Sequence, residues 1–177
     1  MAPRILNKGG QGDAVLAGQR GAGDIGAPAG QSRAHCIVKG DTGGRTGGPG
    51  EREDFIAALD YMAAKYPGVP LWAAGFSFGS WVALETGATD DRVRVLIGIA
   101  PPVTREGYDF SNTIRSTKPK FFVQGEADEV CPLEGMWAFY GKLKEPKELV
   151  VIDAADHLYE AKTQEVGEAL EGLLAGF

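Results

Sequence analysis

The chain has 177 residues, of which 44% are apolar and 24% charged, and it carries a net charge of −6. That length fits one domain of ordinary globular composition. The negative charge argues against nucleic acid or an anionic membrane as partner, and no apolar run reaches the ~18–20 residues of a membrane span. The first ten residues lack the apolar core of a signal peptide. Two cysteines, Cys36 and Cys131, make no disulfide framework and read as free thiols, so the expected location is the cytoplasm.

No Phe, Tyr or Trp precedes Phe55, and about half of the 26 glycines fall in the first fifty residues. Gly18 to Gln31 has neither a helical nor a strand period, and it cannot bury enough apolar surface to offset its ordering entropy. Residues 1–33 are therefore expected to form an irregular glycine-rich segment, with 34–177 as a single folded domain. Ala34 to Val38 is a candidate short strand. Asp41 to Gly50 is a glycine-rich loop without the Gly-Lys-Ser/Thr of a phosphate-binding loop. Glu51 to Lys65 predicts a helix with Phe55, Leu59, Met62 and Ala63 on one face and acidic residues in its first turn. Tyr66-Pro67-Gly68 ends it. Val69 to Ala74 predicts a buried strand, followed by a helix to about Thr86. Arg94 to Ala100, stopped by Pro101-Pro102, and Lys120 to Gln124 predict two more strands. Leu133 to Leu143 predicts a helix with Met136, Trp137 and Tyr140 as its inner face. Glu148 to Ile152 is the last strand, and Glu160 to Leu174 a closing helix with Val166, Ala169, Leu170 and Leu173 inward. Apolar strands alternating with amphipathic helices predict an α/β fold, a mostly parallel sheet flanked by helices.

Gly75-Phe76-Ser77-Phe78-Gly79 reads G-x-S-x-G between a predicted strand and a predicted helix, the context of a nucleophile elbow. The glycines suit a turn too tight for Cβ atoms, and the serine is lifted above the carboxyl edge of the sheet. Active sites of open parallel sheets lie at that edge. The strand at 120–124 is followed there by Gly125 to Pro132, containing Asp128. The strand at 148–152 is followed by Asp153 to Tyr159, containing His157. Serine, acid and histidine thus come after three predicted strands in the order Ser, Asp, His.

Gly75 to Gly79, Gly125-x-x-Asp128-x-x-x-Pro132 and Ala155-Asp156-His157 resemble the elbow, acid loop and histidine loop of the α/β-hydrolase superfamily. Residues 51–177 are similar to its small lidless serine esterases and dienelactone-hydrolase-like members. The chemistry of the residue types agrees. A serine hydroxyl needs a base within hydrogen-bond reach, His157 would take and return its proton, and Asp128 would orient the imidazole. Glu126, Glu129, Asp153 and Asp156 are rivals for the acid, with Asp128 preferred, and Cys131 has no better claim than Ser77 as nucleophile. The backbone N–H of Phe78 is the expected oxyanion donor.

In the family a second donor comes from an early strand–helix loop, and this chain has none. Its first third does not look like the family's opening strands, although Ala34 to Gly50 faintly resembles the next strand and its Arg-Gly-rich loop. The expectation is a truncated chain, or one whose start was altered by a change of reading frame. Only about twenty-five residues separate Ala100 from the acid loop, too few for a substantial lid. The expected substrate is therefore a small soluble acyl ester, with Phe76, Tyr108 and Trp137 as candidate pocket residues; of the six aromatics Trp81, Phe76, Phe78, Tyr108, Phe110 and Trp137, core packing is the rival role of most, and Phe78 and Tyr108 are the stronger pocket candidates. No metal is expected, for want of ligand spacing, and no organic cofactor. A homodimer is left open by the sheet edge. Two alternatives stand beside the esterase: a catalytically silent binding protein without a complete oxyanion hole, and an amide or peptide hydrolase using the same three residues.

Overall fold

The computed structural model describes residues 48–175 and, as backbone alone, two short strands nearer the start of the chain. Those strands are β1 (Ala14–Gly18) and β2 (Ala34–Val38). They are followed by α1 (Pro49–Lys65), β3 (Leu71–Phe76), α2 (Phe78–Thr89), β4 (Val93–Ile99) and α3 (Ser111–Arg115). The chain continues through β5 (Lys120–Gly125), α4 (Leu133–Tyr140), β6 (Lys147–Ile152) and α5 (Thr163–Leu174). One sheet has the order β2-β1-β3-β4-β5-β6. The last four strands are parallel to one another, and β1 is antiparallel to both of its neighbours.

Successive side chains along the strands point to opposite faces of the sheet and divide the core in two. Leu71, Ala73, Leu96, Phe122, Leu149 and Val151 face one side, under α1, α2 and α4. Val95, Ile97, Phe121, Val123, Val150 and Ile152 face the other, where Val166, Ala169 and Leu173 of α5 cover them. The period of two along each strand generates both layers. α1 buries Phe55, Leu59 and Met62, the inward stripe read from the sequence. Its first turn is closed by the Gly48 N–H, which donates to Glu51 Oε2 at 2.9 Å. α2 is buried from Gly79 to Gly87, as expected for a helix wedged between the sheet and two other helices.

Three expectations need correction. A strand occupies Ala14–Gly18, inside the stretch 1–33 expected to be irregular. Its apolar run is short, but pairing of Ala14, Val15 and Leu16 with Gly75, Ala74 and Ala73, and with β2 on its other side, satisfies its backbone. The rest of that stretch and the glycine-rich loop at 41–47 lie outside the described residues. On α4 the inward residues are Met136 and Phe139, whereas Trp137 is 42% exposed. The stripe is rotated from the expected one because Phe139 packs edge-on against Phe110 and Phe122 beneath it. A short helix, α3, was also not foreseen. Among the described residues no helix is long and apolar enough to cross a membrane.

α3 is held by a buried acid. Glu85, 2% exposed on α2, accepts hydrogen bonds from Asn112 N (3.2 Å), Thr113 N (2.8 Å) and Thr113 Oγ1 (2.7 Å). These first-turn amides have no partner within their own helix. Glu85→Ala would orphan three donors, two of them buried, so urea titration is expected to show a loss of about 2–4 kcal/mol. Glu85→Gln, which keeps one acceptor, is expected to lose less.

Candidate active site

β3 delivers Ser77 to the carboxyl edge of the sheet through a turn that only certain residues permit. Ser77 has φ 49° and ψ −123°, a strained region for a residue with a side chain. The strain is over-determined by its surroundings. Ser77 N–H donates to Ile99 O at 2.8 Å, and Ser77 O accepts from Ser80 N at 3.0 Å and from Ser80 Oγ at 2.6 Å. A Cβ on Gly75 would run into the Gly79 carbonyl, so the first glycine of the motif is a steric necessity. Phe78 opens α2, and as its first residue it has no intrahelical carbonyl to receive its N–H.

The acid comes from the loop after β5. Asp128 is 3% exposed, and each carboxylate oxygen accepts two hydrogen bonds. Oδ1 accepts from Val130 N at 2.9 Å and Cys131 N at 2.7 Å. Oδ2 accepts from Gln124 Nε2 at 2.9 Å and meets His157 Nδ1 at 2.9 Å. His157 comes from the loop after β6, and its Nε2 lies 3.0 Å from Ser77 Oγ. Because the Asp128 carboxylate only accepts here, Nδ1 carries the hydrogen, which leaves the Nε2 lone pair facing the serine hydroxyl. The structure thus gathers Ser77, His157 and Asp128 into one hydrogen-bonded line across 80 and 29 residues of sequence separation.

The acid and histidine loops are stitched together by the main chain. Glu126 N donates to Ile152 O at 2.7 Å and Ala127 N to Ala155 O at 2.9 Å, while Ala154 N donates to Glu126 Oε2 at 3.0 Å. Glu126 is therefore committed to bracing the histidine loop. Asp156 caps its own turn by accepting from Glu160 N at 2.8 Å, and Asp153 contributes its carbonyl to Lys162. The neighbouring loops approach closely because residue 125 is glycine: a Cβ there would meet the Ala155 carbonyl at 2.5 Å.

The three candidate pocket aromatics lie in different places. Phe76 stacks beside the His157 ring, with centroids 5.1 Å apart, and meets Tyr159 edge-on. Tyr108 packs with Phe78 and Trp81 in an aromatic cluster at the head of α2. Trp137 lines an open pocket of 490 Å³ beside the acid loop, together with Asp128, Glu126, Glu129, Pro132 and Leu133. Phe110 and Trp81 are core residues, and the Trp81 indole donates to Asp109 O at 2.8 Å.

Cys131 stands next to the acid without competing for the role of nucleophile. It is 1% exposed, and burial, with the Asp128 charge second, pushes its thiol up to about 12. Its sulfur, the Asp128 carboxylate and a His157 nitrogen lie within 4.8 Å of one another, a grouping that the sequence spacing did not reveal. A metal there would have to deprotonate that thiol and displace the His157–Asp128 bond, so the donor set fits a cation poorly. Burial also raises the Tyr159 phenol well above its usual range, and its hydroxyl donates to Val123 O at 3.1 Å. The residue that sequence reading missed is Gln124. It looked like an ordinary polar strand residue, yet it is fully buried and bonded to the acid.

A parallel sheet with this array at its carboxyl edge defines an α/β serine hydrolase architecture. No family model matches the chain. The solved structure of an α/β serine hydrolase homologue from Coxiella burnetii is 33% identical, with a TM-score of 0.69 over 82% of this chain and 69% of that one. An α/β serine hydrolase without a lid from Xanthomonas campestris is 29% identical, with a TM-score of 0.71 over 81% and 66%. An uncharacterised protein of Rickettsia prowazekii is 31% identical over 144 residues, and the chain spans 60% of that relative's length. The chain belongs to the α/β serine hydrolase family.

Gly125→Ala is expected to cost about 1–3 kcal/mol in urea titration, because the new methyl forces the acid and histidine loops apart. Gly167→Ala, in α5 with nothing within 4 Å of the added carbon, is expected to gain up to about 1 kcal/mol from helix propensity.

Proposed function

We propose that the protein is a serine hydrolase that cleaves small carboxylic esters through an acyl-enzyme. The observation that carries this reading is the His157 Nε2 to Ser77 Oγ distance of 3.0 Å, with Asp128 2.9 Å behind the ring. In this reading His157 removes the Ser77 proton as Oγ attacks the ester carbonyl, and Asp128 stabilises the imidazolium that results. The Phe78 N–H, at the start of α2, donates to the oxyanion and gains from the helix dipole. His157 then hands its proton to the leaving alkoxide, and water repeats the cycle to release the acid. Family membership supports the hydrolase chemistry. Phe76 against the ring keeps the imidazole aimed along the line.

An ester is preferred to an amide on chemical grounds. Its carbonyl is the more electrophilic and its alcohol the easier leaving group, so a site with few oxyanion donors loses less of its rate on esters. The family's second-donor loop is missing from this chain, so a second donor would have to be a backbone amide of residues 1–50, of which 1–13, 19–33 and 39–47 lie outside the described residues. The connection from β4 to β5 contains only the short α3, and this supports small, freely diffusing substrates. A cytoplasmic setting remains part of the reading, in keeping with the free buried thiol of Cys131.

A fluorophosphonate probe is expected to label the protein and to fail on Ser77→Ala and His157→Ala. Turnover of short p-nitrophenyl esters is expected to fall about 10⁴-fold or more in Ser77→Ala. Equal labelling of wild type and Ser77→Ala, or turnover indifferent to the substitution, would leave the silent binding protein as the surviving reading. Parallel aminopeptide substrates decide between the ester and amide bonds.

A further inference from the structure

Val130 N and Cys131 N, the hydrogen-bond donors to Asp128 Oδ1 among the described residues, are main-chain amides that no side-chain substitution removes. Oδ2 differs: beside His157 it has one other donor, the side chain of Gln124 at 2.9 Å. The amide orientation of Gln124 is fixed by its partners. Nε2 also lies 2.7 Å from Cys131 O, and two acceptors can be served only by the nitrogen. Both Nε2 hydrogens are thereby spent on the acid loop, and Gln124 Oε1 is left buried without a partner among the described residues. A buried carbonyl without a donor is unfavourable, and an apolar residue of the same length would avoid it. The stability of β5 alone therefore gives no reason for an amide here.

We infer that Gln124 is a positioning residue of the proposed serine hydrolase, fixing how strongly Asp128 holds His157. It acts through the carboxylate and touches no reacting atom. The Gln124 donor draws electron density from Oδ2, the same oxygen that receives His157 Nδ1–H. A donor on the acceptor atom weakens the acceptor toward its second partner, and with it the preference for the protonated ring. Without Gln124 the carboxylate would stay in place, because Val130 N and Cys131 N still pin Oδ1, but it would bind the imidazolium more strongly. Gln124 thus keeps the base able to release its proton to a leaving group. The same side chain ties Oδ2 to the carbonyl that closes the turn, so the bond direction and the charge are set together.

Other titratable groups around the pair stay constant in this comparison. Cys131 and Tyr159 face the Asp128 carboxylate and are held neutral by burial. Arg105 approaches from the loop after β4, acting on the Cys131 side. Glu129 of the acid loop and Asp156 line a shallow pocket together with His157, and Glu126 is bonded to Ala154 N. None of them donates to Oδ2.

The inference rests on the proposed roles of Ser77, Asp128 and His157, but its test does not need turnover. The full chain contains two histidines, so His157 is followed by NMR of its ring carbon–hydrogen resonances, assigned by loss in His157→Gln. In Gln124→Met, a donor-free side chain of equal length, the pH midpoint of those resonances is expected to rise by about half a unit or more. Gln124→Asn, one methylene too short to reach Oδ2, is expected to do the same and serves if the first variant fails to fold. If the chain turns over esters, the acid limb of kcat/KM moves upward with the NMR midpoint while KM changes little. A midpoint that stays put or falls in a folded variant overturns the role assigned to Gln124. Absence of Ser77-dependent turnover with a raised midpoint would instead sink the esterase and leave this coupling standing.

Discussion

The contact on which the site depends is the 3.0 Å approach of His157 Nε2 to Ser77 Oγ, made between residues 80 apart in sequence. Nothing local produces it. Ser77 stands at the end of β3 and His157 beyond β6, with β4 and β5 between them in the sheet. Parallel pairing with a fixed register brings the ends of these strands to one edge: Phe76 pairs with Ile99, Ile99 with Val123, and Gly125 with Ile152. A slip of one residue in any ladder would turn apolar side chains to the wrong layer, so the two-sided core enforces the register that the site needs.

The apparatus around that contact uses backbone wherever it can. The Ser77 carbonyl is held by Ser80, one Asp128 oxygen by two amides, and the acid loop by carbonyls of the histidine loop. Main-chain donors are rigid and resist substitution, so placement to a few tenths of an ångström comes from the fold rather than from side-chain rotamers. Gln124 and Phe76 are the side chains set against the acid and the imidazole, beside the bracing Ser80 hydroxyl and Glu126 carboxylate. One modulates the carboxylate, and the other confines the imidazole face. In this division Gln124, whose Oε1 has no partner among the described residues, is the buried polar side chain at the carboxyl end of β5.

Much of this was legible in the sequence because the signals were periodic or punctuated. β3, β4 and β5 announced themselves as apolar runs ended by Gly or Pro, β6 as an apolar run ended by Asp153, and the elbow by its glycines in a strand–turn–helix setting. Asp128 and His157 stood out because each lies just beyond a predicted strand at the same sheet edge, a signal that belongs to topology and not to any local motif. The features that escaped depend on packing that no single stretch encodes. Glu85 reads as a solvated helix charge until α3 is laid across it. Trp137 reads as core because the stripe on α4 can be drawn in two phases, and only Phe110 and Phe122 choose between them. β1 reads as part of a glycine-rich coil because an isolated four-residue apolar run carries too little signal, and its strand status comes from partners. Gln124 is polar at a strand end, where burial and exposure are equally natural.

The three groups are mounted unevenly on the sheet. Acid and base sit on β5 and β6, the outermost pair at one margin, and are sewn together there, whereas the serine belongs to the interior strand β3. A strand at the margin has a neighbour on one side only. Any opening of that margin would carry the loops of Asp128 and His157 together, because main-chain bonds and Glu126 join them, and would leave Ser77 behind on β3.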